Sequence, residues 1–203
     1  MHPGNGEEDT GLVLRLTESG ENFWCLAFLS RLSGLYHPLV RKSRTSARPD
    51  LFDTARARVT RAKQGGLRFL SEYQPRRRRT GIGRSYAAIR TASRFAEILR
   101  RNTAHLPEPA AICDLSERFF DEIEAGAPTG PAFLKTLYLL AKTEGLPVKE
   151  DWVAGLPSDD RTRLRAILLA PLGEQGPEAA SAEDLAASLE KWLVAKADFL
   201  IGG

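Results

Sequence analysis

Residues 12–28, LVLRLTESGENFWCLAF, decide the predicted fold of this 203-residue chain, because their apolar residues alternate as they do in strands. Every second residue from Leu12 to Leu16 is leucine, and a turn signal follows at Ser19-Gly20. Beyond the turn the alternate residues are large and apolar: Trp24, Leu26 and Phe28. The pattern predicts two paired strands, with these three side chains on one face of the second strand.

Three further short strands are predicted over residues 35–42, 51–60 and 67–73. The pair Gly65-Gly66 supplies the positive φ that a tight hairpin requires before the last of them. Five strands in about 65 residues favour a small closed barrel over an open sheet, because closure removes exposed strand edges. We therefore predict a five-stranded OB-fold barrel over residues 1–78, the commonest such barrel that binds nucleic acid.

After Pro75 the apolar residues repeat at helical rather than strand spacing. Residues 84–102 carry one apolar stripe surrounded by arginines, and proline and glycine then divide the remaining sequence into further helical segments. We predict an all-helical second domain over residues 79–203. The predicted fold class is α+β, with the OB-fold barrel preceding the helical domain.

The charge of the chain is unevenly distributed. Twenty of the 29 Lys and Arg residues, but only nine of the 26 Asp and Glu residues, lie before residue 102. The net formal charge is therefore +11 in the first half and −8 in the second. Such a cationic surface indicates a polyanionic partner, and backbone phosphates are well matched to arginine.

Candidate nucleic-acid contacts follow from this charge and from the need of single-stranded bases for flat stacking surfaces. The run 76–79 is either a solvated linker or part of the binding surface, and its basic neighbours favour the surface. The sequence leaves open which face of the barrel carries Arg56 and Arg58. The predicted contacts are Arg41, Lys42, Arg44, Arg48, Arg56, Arg58, Arg76, Arg77, Arg78, Arg79 and Arg84, with Tyr36 and Tyr73 as stacking surfaces, since their hydroxyls tolerate water.

Catalytic and targeting signals are missing from the sequence. It contains no phosphate-binding loop, and the glycine pair around Ile82 lacks the third glycine of a dinucleotide fingerprint. Cys25 and Cys113 are far apart and have no neighbouring histidine, so no metal or other cofactor is expected. No apolar run approaches the ~20 residues of a membrane span, and the N-terminus does not read as a signal peptide. We expect a cytoplasmic binding protein that is not an enzyme and does not contact membranes.

Several stretches, in order, resemble the RecO family of bacterial recombination mediators. They are TGLVL at 10–14, GLYHPLVRK at 34–42, PDLF at 49–52 and GLRFLSE at 66–72, and the resemblance extends weakly to about residue 200. It implies a DNA-repair protein that binds single- and double-stranded DNA, anneals complementary strands and helps RecA replace single-strand-binding protein (SSB), usually with RecR.

The resemblance also implies a site in the helical domain for the acidic tail of SSB, with Phe133 and Lys135 at the position of a basic contact. Many members of the family carry a four-cysteine zinc site in this domain. This chain has one cysteine there, so no metal is carried over.

Three other interpretations remain open at this point. The basic barrel is equally suited to an RNA- or ribosome-associated OB-fold protein, which would prefer folded RNA to single-stranded DNA. The second interpretation is a scaffold that has kept the fold and lost the activity. The third is a basic globular domain without a nucleic-acid role.

Overall fold

The computed structural model describes residues 6–62, 66–102, 108–174 and 180–201. Six strands are followed by five α-helices, which confirms the α+β class. The strands are β1 (Glu7–Ser19), β2 (Phe23–Ser30), β3 (Gly34–Tyr36), β4 (Leu39–Arg41), β5 (Thr54–Arg61) and β6 (Arg68–Arg77). The helices are α1 (Tyr86–Asn102), α2 (Pro109–Glu124), α3 (Thr129–Thr143), α4 (Ser158–Leu169) and α5 (Ala182–Ala197), with short 3-10 turns at Thr80–Arg84 and Leu172–Glu174 and a π-helical turn at Val148–Val153.

The chain divides into two compact units. The first contains the six strands, through Arg79, together with residues 108–113 at the start of α2. The second begins at Thr80 and contains α1, the remainder of α2 and the later helices. The predicted boundary after residue 78 lies one residue before this division. The predicted second domain was continuous in sequence, whereas the start of α2 belongs to the first unit.

Strand pairings in the first unit close into a ring. The sheet order is β1-β5-β6-β4-β2-β3, and β1 also pairs with β2. Five strands therefore form the ring β1-β5-β6-β4-β2, while β3 pairs with β2 alone. The pairing of β4 with β6 is parallel, and the other pairings are antiparallel.

The core of the first unit lies among these strands. Leu26 and Phe28 are buried in it, and the partly buried Trp24 packs against it, which confirms the shared face predicted for β2. Ala55 and Ala57 of β5 are buried in the same cluster. Small side chains there leave room for the large residues of β2.

Two predicted strands differ in the structure. The predicted strand 35–42 is interrupted at His37-Pro38 and forms β3 and β4, because proline has no N–H to donate to the ladder. In β1 the register shifts between Val13 and Arg15, and Val13 packs in the core. This bulge breaks the simple alternation of leucines that the sequence indicated. Of the predicted hairpin glycines, Gly66 has φ +68°, and Gly65 lies outside the described residues.

The elements described in the second unit are all helices or helical turns, as predicted. Phe95 of α1 packs against Phe119 and Phe120 of α2, with ring centroids 4.6 and 6.1 Å apart. Asn102 is buried at the end of α1, where its amide group donates to the carbonyl of Leu200 and accepts from the N–H of the same residue. This pair of hydrogen bonds attaches the segment after α5 to α1.

Gly11 lies where the backbone of β1 closely approaches that of β2. A Cβ at this position would lie 2.3 Å from the carbonyl oxygen of Leu29, a backbone atom that cannot move alone. We expect Gly11→Ala to lower the free energy of unfolding by about 2–3 kcal/mol, because overpacking forces the two strands apart. Urea unfolding measures this, with Gly83→Ala as the matched control, since nothing lies within 4 Å of a Cβ there. Equal stability of the two variants would contradict the close approach of the strands.

Candidate nucleic-acid interface

The loop between β4 and β5 carries three of the predicted basic contacts, Lys42, Arg44 and Arg48, and its two ends are fixed to neighbouring segments. The N–H of Lys42 donates to the carbonyl of Asn22 at 2.7 Å. Near the other end, Nη2 of Arg78 donates to the carbonyl of Arg48 at 3.0 Å. The loop therefore has a defined position on the ring of strands without a ligand.

Trp24 lies beneath this loop. The Nζ atom of Lys42 and the Cζ atom of Arg48 are 4.6 and 4.5 Å from the centroid of its indole ring. Beside the indole there is an open cleft of about 150 Å³, lined by Trp24 and residues 41–43 and 46–49. An aromatic surface and several cations thus meet at one place, as a nucleic-acid strand requires.

The arginine run 76–79 is not a linker. Arg76 and Arg77 are the last residues of β6, and they and Arg78 are exposed. Together with the loop cations, the exposed residues form what we call the basic surface: Arg41, Lys42, Arg44, Arg48, Arg76, Arg77 and Arg78. Among the described residues, no carboxylate lies within ion-pair distance of Arg41, Arg44 or Arg76.

Arg79, also predicted as a DNA contact, differs from the rest of the run in its burial. Its side chain is only 3% exposed. The Nη1 atom donates to the carbonyl of Phe52 at 2.6 Å and to Oγ1 of Thr54 at 3.1 Å. This guanidinium holds the start of β5, so it contributes to stability and is not available to phosphates.

Arg56 and Arg58 lie on the outer side of β5, since Ala55 and Ala57 fill the inner side. Their charges are partly compensated. Arg56 donates to Glu8, and Nε of Arg58 lies 3.5 Å from Oε2 of Glu72. These pairs are exposed and weak, and a phosphate can compete with the carboxylates.

Tyr36 and Tyr73, predicted as stacking surfaces, occupy the core rather than the surface. The Tyr36 hydroxyl donates to Oδ2 of Asp9 at 2.9 Å, and the Tyr73 hydroxyl donates to Oδ2 of Asp53 at 3.0 Å. Burial, with the adjacent carboxylate, raises the pKa of each phenol above its usual range. Burial also raises the pKa of Asp53. These two buried pairs leave neither ring available for stacking on bases.

Sequence reasoning did not select the aromatic residues that the structure leaves partly exposed outside the core cluster. Phe23 and Phe69 lie on neighbouring segments, with ring centroids 6.0 Å apart. Each is adjacent in sequence to an inward residue, Trp24 and Leu70, and so points outward. Arg41 is paired with Phe23 across β2 and β4. The strand alternation around Trp24 was the signal that could have identified Phe23.

The remaining predicted residues lie in the second unit. Arg84 is exposed at the end of the 3-10 turn that precedes α1. Phe133 is 3% exposed and lines a cavity of about 830 Å³, together with Arg90, Arg94 and Arg101. Arg94 lies over the Phe133 ring, with 4.9 Å between Cζ and the centroid, and donates to the buried Glu190.

Lys135 does not line this cavity. Its Nζ atom donates to the carbonyl of Ala170 at 2.7 Å, and burial lowers its pKa. Lys135 therefore binds the backbone after α4 and does not share the cavity with Phe133. Arginines of α1 take its place beside Phe133.

Glu97 also lines this cavity, and its carboxylate accepts hydrogen bonds from Arg100 and Arg101. These bonds lower the pKa of Glu97 to about 2. The stabilisation is present above the ordinary carboxyl pKa and is lost as the pH falls toward 2. We expect Glu97→Gln to be less stable than the wild type at pH 7, by about 1 kcal/mol or less for a half-exposed pair. Thermal unfolding should show this gap closing between pH 4.5 and 2, and a gap independent of pH would contradict the ion pair.

Within the described residues, no three His, Cys, Asp or Glu side chains are grouped so that they could hold a metal ion. No helix among these residues is both long and apolar enough to cross a membrane. Neither a comparison with protein-family models nor one with curated proteins finds a match to this chain.

Proposed function

We propose that the first unit is an OB-fold that binds single-stranded DNA mainly through its phosphates. The order of strand pairing supports the OB-fold. β1 pairs with β2 and with β5, and β4 pairs in parallel with β6, the last strand. This is the Greek-key order of that barrel, with β3 and β4 together as its third strand.

The observation that carries the proposal is the basic surface beside Trp24. Its cations come from one loop and from the end of β6, and Arg78 hydrogen-bonds the loop at Arg48. Arginines contact phosphates in every sequence, and aromatic rings stack on every base. The partly exposed Phe23 and Phe69 supply a second aromatic surface.

Strand annealing is the activity that such a surface supports. Two complementary strands repel each other through their phosphates, and a protein that neutralises both without occupying the base edges allows them to pair. We propose a RecO-like role in DNA repair and recombination, in which the protein binds single- and double-stranded DNA and assists RecA on SSB-coated DNA, with RecR as a further partner.

The cavity beside Phe133 supports the proposed contact with SSB. Arg90, Arg94 and Arg101 line it together with Glu97 and Glu183, and the three arginines suit the carboxylates of an acidic peptide. In this proposal Arg90, Arg94 and Arg101 contact the peptide, and Lys135 does not.

An annealing assay tests the proposal. Complementary 60-nucleotide strands, one of them labelled, are mixed with the protein, with and without bound SSB, and duplex formation is followed over time. We expect the protein to accelerate annealing in both cases. Binding of an RNA hairpin in preference to the single-stranded DNA, without acceleration, would instead favour the RNA-associated alternative.

A further inference from the structure

We infer that the cleft beside Trp24 takes one base of the bound strand and prefers a pyrimidine to a purine. This inference rests on the proposed function and names the part of the ligand that the cleft receives. Three features of the first unit support it: the size of the cleft, the shape of the loop above it, and the position of two cations over the indole ring of Trp24.

The size of the cleft suits a single six-membered ring. Its volume is about 150 Å³, and a cavity of about 150 Å³ can hold benzene. A pyrimidine is of similar size to benzene, whereas the fused rings of a purine are much larger. Trp24 supplies the stacking surface on one side, and Ser46 lines the cleft with a hydroxyl that can bond to a base edge.

The loop keeps the cleft open before any ligand binds. The Ser43 hydroxyl accepts hydrogen bonds from the N–H groups of Thr45 and Ser46, at 3.1 and 3.2 Å. Farther along, the N–H of Asp50 donates to Oδ2 of Asp53 at 3.1 Å. A loop that is already shaped loses less entropy when a base enters, which favours binding.

The two cations over Trp24 are held differently. Lys42 is fixed, since its Nζ atom donates to the carbonyl of Gly20 at 3.2 Å and lies 3.5 Å from a carboxylate oxygen of Glu18. The Arg48 guanidinium has no hydrogen bond or ion pair among the described residues, and the indole is its contact. Arg48 is therefore the cation that an entering base displaces.

Displacement of Arg48 is favourable for two reasons. A base stacks on an aromatic side chain more strongly than an exposed cation does. The released guanidinium then reaches the phosphate next to the stacked base, where its charge is neutralised. Arg48 thus covers the indole in the free protein and binds phosphate in the complex.

The test uses 15-nucleotide single strands made of abasic sites, which present phosphates but no bases. A single central thymine or adenine is added to this strand, and affinity is measured by fluorescence anisotropy. We expect thymine to tighten binding about fivefold or more, and adenine to tighten it by less than about twofold because it does not fit.

Two variants and one control test whether the gain in affinity from thymine arises in the cleft. Trp24→Leu should abolish the gain from thymine, measured as the ratio of its affinities for the thymine strand and for the abasic strand. Ala47→Leu narrows the cleft and keeps Trp24. It should also abolish the gain from thymine, and it replaces Trp24→Leu as the test if that variant unfolds. Trp192→Leu in the second unit, a tryptophan of similar partial burial, should keep the gain.

The outcomes separate this inference from the proposed function. An equal gain from adenine, or a gain from thymine that survives in Trp24→Leu and Ala47→Leu, would overturn the cleft while DNA binding stands. Absence of binding to every strand would overturn both.

Discussion

Replacing Arg41, Arg44 and Arg76 together by glutamine is expected to weaken binding of single-stranded DNA by about 10- to 100-fold at moderate salt. All three side chains are exposed, and no carboxylate among the described residues pairs with them. Each is therefore available to a phosphate. Loss of three phosphate contacts should also make the slope of log K against log salt shallower by about 2, since each contact on a single strand contributes about 0.7.

A matched control separates the effect of losing the basic surface from the effect of lowering the net charge of the protein. Arg161, Arg163 and Arg165 are three exposed arginines on α4 in the second unit. Their replacement by glutamine changes the net charge equally and should leave the salt slope unchanged. If both triple variants weaken binding to the same extent, the total charge of the protein would explain binding and the basic surface would not.

Arg79→Met is expected to lower the free energy of unfolding by about 2–4 kcal/mol, because it leaves a buried carbonyl and hydroxyl without their charged donor. The carbonyl belongs to Phe52, whose φ of 65° lies in the left-handed region that is unfavourable for a bulky residue. The guanidinium thus stabilises a strained turn before β5. Urea unfolding followed by circular dichroism measures the loss.

Arg76→Met is the paired variant, three residues earlier in the same run. It should weaken DNA binding and change stability by less than about 0.5 kcal/mol, as surface substitutions do. Arg79→Lys keeps the charge but not the planar fork of donors, and should be intermediate in stability. If Arg79→Met were as stable as the wild type and bound DNA more weakly, Arg79 would be a DNA contact and not a stabilising residue.

The sequence predicted secondary structure well where alternation was regular. In β2 the inward residues follow a period of two without interruption, and the prediction for Trp24, Leu26 and Phe28 is confirmed. In β1 a bulge between Val13 and Arg15 changes which residues face the core. A bulge depends on pairing with another strand, so the residues of one strand do not specify it.

The sequence predicted the basic and aromatic character of the candidate site more successfully than the particular residues that form it. Basic residues of the loop and of β6 do lie beside an aromatic ring, but that ring belongs to Trp24 and not to Tyr36 or Tyr73. The two tyrosines pair with Asp9 and Asp53, which are 27 and 20 residues away in sequence. Arg79 and Lys135 are likewise bound to backbone carbonyls of distant residues. Such partners become known only when the chain is folded.

The most direct test of the central claim is the salt dependence of binding to a fluorescently labelled 20-nucleotide single strand of mixed sequence. Five cations of the basic surface, Arg41, Arg44, Arg48, Arg76 and Arg78, predict a slope of log K against log salt of about −3.5, with tight binding at low salt. No binding at low salt, or a slope near zero, would contradict the claim that this surface binds DNA.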